Sequence, residues 1–456
     1  MPENHLLLRS GKKDSLAILI GLGIFLGVLS FYSPGSLFIF FLAVFIILIM
    51  HSFLSEEDRH FLIRLFILGL SLRVFLLLFS VFIFLLQDKW MSFPGDMSVI
   101  SFFGDSGFCT VRSWWIAQYV LGIQLADKSI FLSAFSNYGH HSYLYLVALF
   151  YYIFGYSPLS IIFINCIISI LTGIIYYFIA KEIAGIRSAR ITAFLIVFFP
   201  SLVLWSIVNL KDTLVIFLIG LSLFLFTKLL KANKVIYLIL LVFTFFFQFY
   251  LRPIFILPTV LIMGLSYMSI KIKIKMVHII FLIFVLIITL PFLKIGFNIF
   301  KHKVINYHLG VISTGGFMYH IYDDWLYAPN ANVKLISDFG LFRGLLKGWI
   351  YYFLEPFPWN MPLKWSVLVA YLQIIIWYFL LIFSIPGISE QLKHNWRKSL
   401  VFVLYLLIVG SIISFTGGNI GTVFRIRDML TPIILLFSSV GLLKILYLIQ
   451  NDSFSG

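Results

Sequence analysis

The stretch PLSIIFINCIISILTGIIYYFIAKEIAGIRSARITAFLIVFFPSLVLWSIV, residues 158–208, decides the fold. Two apolar runs, 158–180 and 191–208, each approach the ~20 residues that cross a bilayer. A short turn carrying Lys181, Arg187 and Arg190 separates them. Hydrocarbon offers no water to backbone N–H and C=O groups, so runs of this length must be helices that satisfy their own backbones. The same alternation continues on both sides. It gives about twelve spans by length and apolarity, near 15–32, 35–53, 61–86, 158–180, 191–208, 213–229, 235–250, 254–270, 276–295, 365–385, 399–416 and 429–449. Composition agrees: of 456 residues, 61% are hydrophobic, 19% aromatic and only 11% charged, with a mean hydropathy of +1.05. Soluble domains do not have that balance. The chain reads as an all-α polytopic membrane protein, one multi-span domain over 1–456, without an internal repeat or a low-complexity linker. The first run, following Arg9, Lys12 and Lys13, lacks a small-residue cleavage site and reads as a span rather than a removed signal.

The formal charge of +15 is scattered through short loops rather than gathered in one basic domain, which argues against a nucleic-acid partner. Cys109 and Cys166, the two cysteines, form neither a metal-ligand spacing nor a disulfide framework. The basic loops orient the chain. Lys12 and Lys13, Arg59 and Arg64, Lys181 to Arg190, Lys228 to Lys234, Lys271 to Lys275, and Lys393 to Lys398 all fall on one side, the cytoplasmic side by the positive-inside rule, together with both termini. The segment 141–155 tests this arrangement. As a span it would invert every later basic loop; its roughly 15 residues suit a helix lying on the outer surface instead. The segment 345–359 reads the same way. The bulky external regions are then 87–157 and 296–364, both mixing aromatic with polar residues as an interface requires.

A few charges stand on the outer face, where cations in short loops are disfavoured. They are Asp96 and Asp105 in the first external loop, Lys211 and Asp212 in NLKDTL, Arg252 in LRP, and Arg425 and Arg427 in GNIGTVFRIRD. Each cation either snorkels to headgroups or pairs with an acid, or else binds phosphate at the lipid interface through charge-assisted hydrogen bonds. Asp105, between Gly104 and Gly107 at the head of an aromatic helix, reads as an N-cap and equally as a general base. The two roles are compatible, since a helix N-terminus favours the ionised form. A lone carboxylate acting on a hydroxyl suits an inverting transfer; a retaining one needs a second carboxylate as nucleophile, and Asp212 is a candidate either for that role or for orienting an acceptor. Asp96, the pair Asp323 and Asp324, and Glu355 read as solvated or hydrogen-bonding groups. His140 and His141, adjacent in sequence, rarely point at one ion.

The stretch GDSGFCTVRSWWIAQYVLG, an early external Asp leading into an aromatic helix, resembles the start of GT-C-fold glycosyltransferases of the protein O-mannosyltransferase and aminoarabinose transferase type. YLYLVALFYYIFGYSPLSIIFINCIISILTGIIYYFIAKEIAGIRSARITAFLIVFFPSLVLWS is similar to that family's surface helix ending in Phe-Gly, long span, basic turn and Pro-bearing span. The likeness covers roughly 95–260, with an echo in FRIRDMLTPIILLFSSVGL. It implies a polyprenyl-phosphate-sugar donor, a glycan, lipid or protein acceptor, and transfer on the outer face of a plasma or inner membrane, in cell-envelope polysaccharide biosynthesis or related work. By matching position Asp105 is the catalytic acid-base residue and Asp212 the second acid. Arg252 and Arg425, with Lys211 and Arg427, face the donor phosphate. Two departures stand out: the family's Pro-Pro-Leu is replaced by His141-Ser142-Tyr143-Leu144, and two extra spans precede the Asp105 loop. No organic cofactor is expected, and a divalent metal stays open. The alternatives are a flippase for a lipid-linked saccharide, which would place charge near the bilayer midplane, and a polysaccharide polymerase or ligase, whose essential residues would lie in the late loop 296–364.

Overall fold

The structure is a computed structural model describing residues 34–87, 91–93, 97–99, 104–123, 128–136, 141–271, 349–350, 352–354, 357, 368–414 and 425–453. It is helical apart from one antiparallel hairpin, β1 (Met91–Phe93) and β2 (Met97–Val99), which pairs Met91 with Val99 and Phe93 with Met97. The helices are α1 (Pro34–Phe53), α2 (Glu56–Gln87), α3 (Gly104–Val120), α4 (Lys128–Ala134), α5 (Ser142–Phe154), α6 (Pro158–Ala184), α7 (Ile186–Phe198), α8 (Pro200–Ser206), α9 (Asp212–Ala232), α10 (Val235–Leu251), α11 (Ile256–Lys271), α12 (Leu368–Ser414) and α13 (Thr431–Ser453). A 3-10 turn, Pro253–Phe255, joins α10 to α11.

Among the described residues, seven helices are long and apolar enough to cross a membrane, or eight if the bent pair α7 and α8 forms one span. The expected count of about twelve is therefore not reached there, for identifiable reasons. The expected spans at 15–32 and 276–295 lie outside the described residues. The span at 191–208 is broken by 52° at Phe199, whose extended backbone (φ −65, ψ 124) is what a residue preceding Pro200 prefers. The span at 235–250 is α10, only 17 residues long. The spans at 365–385 and 399–416 run together as the 47-residue α12, interrupted by non-helical backbone at Asn395. Straight, that helix would reach about 70 Å at 1.5 Å per residue, more than twice a bilayer core. By contrast, the 13 residues of α5 reach about 20 Å, short of the ~30 Å core.

The chain separates into two compact units: Met1–Ile168 with Ser206–Lys211, and Ser169–Trp205 with Asp212–Gly456. In the first, α1 packs on α2, and α3 packs on α4, α5 and the hairpin. Arg73 is fully buried in the middle of α2, donating from Nε to Ser206 Oγ (2.9 Å) and from a terminal nitrogen to the Gly69 carbonyl (3.1 Å). Arg73 thus lies inside the expected span 61–86, away from the short loops that hold most of the basic residues. The bonds to Ser206 and Gly69 make a buried cation tolerable.

In the second unit, α12 lies along α13, α13 packs on α7, α11 on α12, and α9 on α10. Gly387 and Gly441 let α12 and α13 touch backbone to backbone: a Cβ on Gly387 would stand 1.9 Å from the Phe437 carbonyl oxygen, and one on Gly441 1.9 Å from that of Phe383. Small interfacial residues are how apolar helices gain close packing without a hydrophobic drive. Ser439 joins Ser188 (2.6 Å) and Thr192 (2.8 Å) across α13 and α7. Lys228 and Lys231 both pair with Glu182 (3.0 and 3.3 Å).

Candidate functional site

The pairing of α9 with α10 follows from the turn between them. Asn233 adopts a left-handed backbone (φ 49) that reverses the chain, a conformation Asn tolerates better than most residues. Two antiparallel helices joined by a short turn bring the start of the first beside the end of the second. Asp212 opens α9 and Arg252 closes α10, so the hairpin sets them at one end. The Arg252 terminal nitrogen donates to Asp212 Oδ1 at 2.9 Å. Arg425, just ahead of α13, donates from Nε (3.0 Å) and a terminal nitrogen (2.8 Å) to Oδ2. The Asp212 side chain is 0% exposed, those of Arg252 and Arg425 21% and 20%. A carboxylate here gains from the α9 N-terminus as well as from both guanidiniums. Counted over these three residues alone, two cations meet one anion, and the guanidiniums keep an open side. That is the chemistry of a site for an anionic oxygen ligand.

Asp105 lies in the first unit, exposed in the first turn of α3. The helix behind it is anchored. The Asn209 backbone N–H donates to Ser106 Oγ (2.9 Å), its side-chain amide donates to Thr110 Oγ1 (2.8 Å), and Tyr143 OH donates to Asn209 Oδ1 (2.9 Å). Asn165 donates to the Val208 carbonyl at 2.9 Å. Asp105 is thus a solvent-facing carboxylate on a fixed helix end. One turn on, buried Cys109 lies 3.9 Å from His141 Nε2.

The structure brings Asp212, Arg252 and Arg425 together. Lys211, half-buried, belongs with the first unit, as does Asp105. Arg427 is 1% exposed, its guanidinium 4.7 Å from the Trp377 ring centre. Beside it Asp428, unremarked in the sequence reading, accepts from Trp205 Nε1 (2.7 Å) and Thr431 Oγ1 (3.0 Å). Burial pushes the Asp428 carboxyl up to about 6, while neighbouring hydroxyls, Trp205 and the Arg427 charge hold it down. Arg112, likewise passed over, is fully buried in α3 and closes α4 by donating to the Ala134 (3.0 Å) and Ser136 (2.8 Å) carbonyls. A cation at a helix C-terminus is stabilised by the helix dipole. Arg73 and Arg112 share a signal visible in the sequence, a lone Arg inside an apolar or aromatic helix. Asp96, His140, Asp323, Asp324 and Glu355 lie outside the described residues. Among the described residues no three His, Cys, Asp or Glu side chains come together as a metal site would need.

Residues 142–295 match the protein family described as dolichyl-phosphate-mannose-protein mannosyltransferase. The match runs from the start of α5, takes in Asp212 and Arg252, and covers about a third of the chain. Asp105 lies before it and Arg425 after it. No curated protein matches the chain. Over that third, the likeness points to a membrane glycosyltransferase using a lipid-linked sugar donor, in keeping with a chain holding seven helices fit to cross a bilayer among its described residues.

Proposed function

We propose that the chain is an integral-membrane glycosyltransferase that moves a sugar from a polyprenyl-phosphate donor to a hydroxyl of a lipid, glycan or protein acceptor on the outer face of the membrane, with inversion. The observation that carries this reading is Asp212 held between Arg252 and Arg425, within or next to the segment that looks like the mannosyltransferase family. Asp105 takes the proton of the acceptor hydroxyl. The hydroxyl oxygen bonds to the anomeric carbon as the bond from that carbon to the phosphate oxygen breaks, and the electron pair leaves with polyprenyl phosphate. Arg252 and Arg425 neutralise the charge that develops on that oxygen, the step where preorganised cations count most. Both Asp212 oxygens accept guanidinium hydrogen bonds and the side chain is buried, which supports an orienting role for Asp212 rather than a nucleophile's. Arg427, closed in against Trp377, supports the protein and not the donor.

The test is equilibrium binding of polyprenyl-phosphate-mannose to purified protein in nanodiscs. Arg252→Ala and Arg425→Ala should each weaken binding by about 10- to 100-fold, the value of a hydrogen bond to a charged group. Arg425→Lys, which keeps the charge but loses the two-pronged hold on Asp212, should fall between. Wild-type affinity in both alanine variants would remove these arginines from the donor site.

A further inference from the structure

One buried side chain beside the Asp212 cluster has no partner for any of its polar atoms. Gln248 is 0% exposed, and neither its amide nitrogen nor its carbonyl oxygen makes a hydrogen bond. Among the described residues it is the one amide orphaned at both ends; Gln373 is orphaned only at its nitrogen. Gln248 sits on the buried face of α10 with Leu241, Thr244 and Leu251. It stands one turn before Arg252, whose backbone N–H bonds to the Gln248 backbone carbonyl at 2.8 Å. On a helix, residues four apart stack on one face. The Arg252 Nε is also buried and without a partner. Three unsatisfied polar atoms therefore occupy a single turn at the end of α10 that carries the salt bridge to Asp212.

Leaving a buried amide without hydrogen bonds destabilises the folded state, so a group retained at that cost is expected where function uses it. The chemistry of the orphans narrows the ligand. A phosphate oxygen accepts only, and would satisfy Arg252 Nε but leave the Gln248 carbonyl facing negative charge. A hydroxyl both donates and accepts, and so matches an amide that offers one of each. We propose that Gln248 is a specificity residue that binds a hydroxyl of the donor sugar next to its phosphate, while Arg252 holds the phosphate itself. This rests on the donor-site reading above and adds a sugar contact to it.

The experiment compares bare polyprenyl phosphate with polyprenyl-phosphate-mannose and polyprenyl-phosphate-glucose, each titrated against wild type and Gln248→Met in nanodiscs. Methionine keeps the length and volume and removes both polar atoms. Binding of the sugar-bearing lipid that wild type prefers should weaken about tenfold, the worth of one buried hydrogen-bonding site, while bare polyprenyl phosphate should bind as in wild type. The melting temperature should hold or rise, because an orphan amide has been replaced by an apolar chain. Arg252→Ala, in contrast, should weaken all three lipids. Unchanged binding of every lipid in Gln248→Met would mean that Gln248 merely holds a structural water, and overturns the proposal. Equal weakening of bare and sugar-bearing lipids overturns it too, as does a wild type with no preference for either sugar over the bare lipid. If wild type binds none of the three, the donor-site reading falls first and takes this one with it. Gln248→Leu replaces Gln248→Met should the latter express poorly.

Discussion

Asp105 and Asp212 are both acids at the first turn of a helix, and their surroundings give them opposite characters. Asp212 is buried with two arginines on it; Asp105 is exposed on a helix end anchored from behind by Asn209 through Ser106 and Thr110. A buried, doubly bonded carboxylate holds its proton-accepting lone pairs in use, whereas an exposed one can be reached by an incoming hydroxyl. This assigns proton transfer to Asp105 in the proposed reaction. α3 begins at Gly104, so Asp105 lies inside its first turn rather than at the N-cap position expected from the sequence; Asp105→Asn keeps the shape while removing the charge and the basic oxygen. Turnover should fall by about 10²–10⁴ with the melting temperature within a degree or so of wild type, both read on one purified preparation. Near-normal turnover would remove Asp105 from the proposed proton transfer. In the sequence the residue types and their loops were legible: Asp212, Arg252 and Arg425 stand out as charges beside apolar runs. Their mutual pairing was not, because 213 positions separate Asp212 from Arg425 and no local pattern reports such a contact. Arg427, two residues from Arg425, shows the limit. Alike in sequence, one reaches Asp212 and the other is enclosed against Trp377, because successive helical residues point about 100° apart.

Among elements, the α12–α13 contact separates propensity from packing. Replacing a helical glycine by alanine gains about 1 kcal/mol of intrinsic helix propensity. At Gly387 that gain is overrun, since the new methyl would meet the Phe437 carbonyl oxygen at 1.9 Å, and a backbone atom cannot swing aside. Gly387→Ala should therefore destabilise by about 2 kcal/mol or more, in the range of core overpacking. Gly264 in α11 has open space where a Cβ would go, so Gly264→Ala should be neutral or stabilise by up to about 1 kcal/mol. Thermal unfolding in detergent compares the two directly; a stabilising Gly387→Ala would mean that the helices do not meet there. Both are glycines in apolar helices, and nothing in the flanking sequence tells them apart. The broken span at 191–208 was more nearly legible, since Pro200 is in plain view and the residue before a proline leaves the helical region.

At the scale of the whole molecule, sidedness rests on charge. The positive-inside expectation puts the basic turn at 181–190 in the cytoplasm, because every basic loop then falls on one face. Arg187 is exposed in that turn, while Ser188 is buried against Ser439 and would make a poor reporter. The native Cys109 and Cys166 are both buried, which keeps the background low. Arg187→Cys should resist an impermeant thiol reagent applied to intact cells and react once the membrane is opened. Labelling from outside would invert the topology and move Asp212 and Arg252 to the cytoplasmic face.

What the sequence by itself determined is the solvent and the secondary structure. A mean hydropathy of +1.05 leaves only a bilayer, and a bilayer leaves these runs only the helix. Ten of the expected spans meet helices within the described residues, since hydrophobic length is a local property read residue by residue. What tertiary structure decided is which charges act together. The hairpin of α9 and α10 and the return of the chain at Arg425 brought two exceptions to the positive-inside rule, Arg252 and Arg425, onto one acid, Asp212, and left Gln248 beside them with its side-chain hydrogen bonds unmade. Pairing of that kind depends on distances across the fold, and local hydropathy carries no record of them.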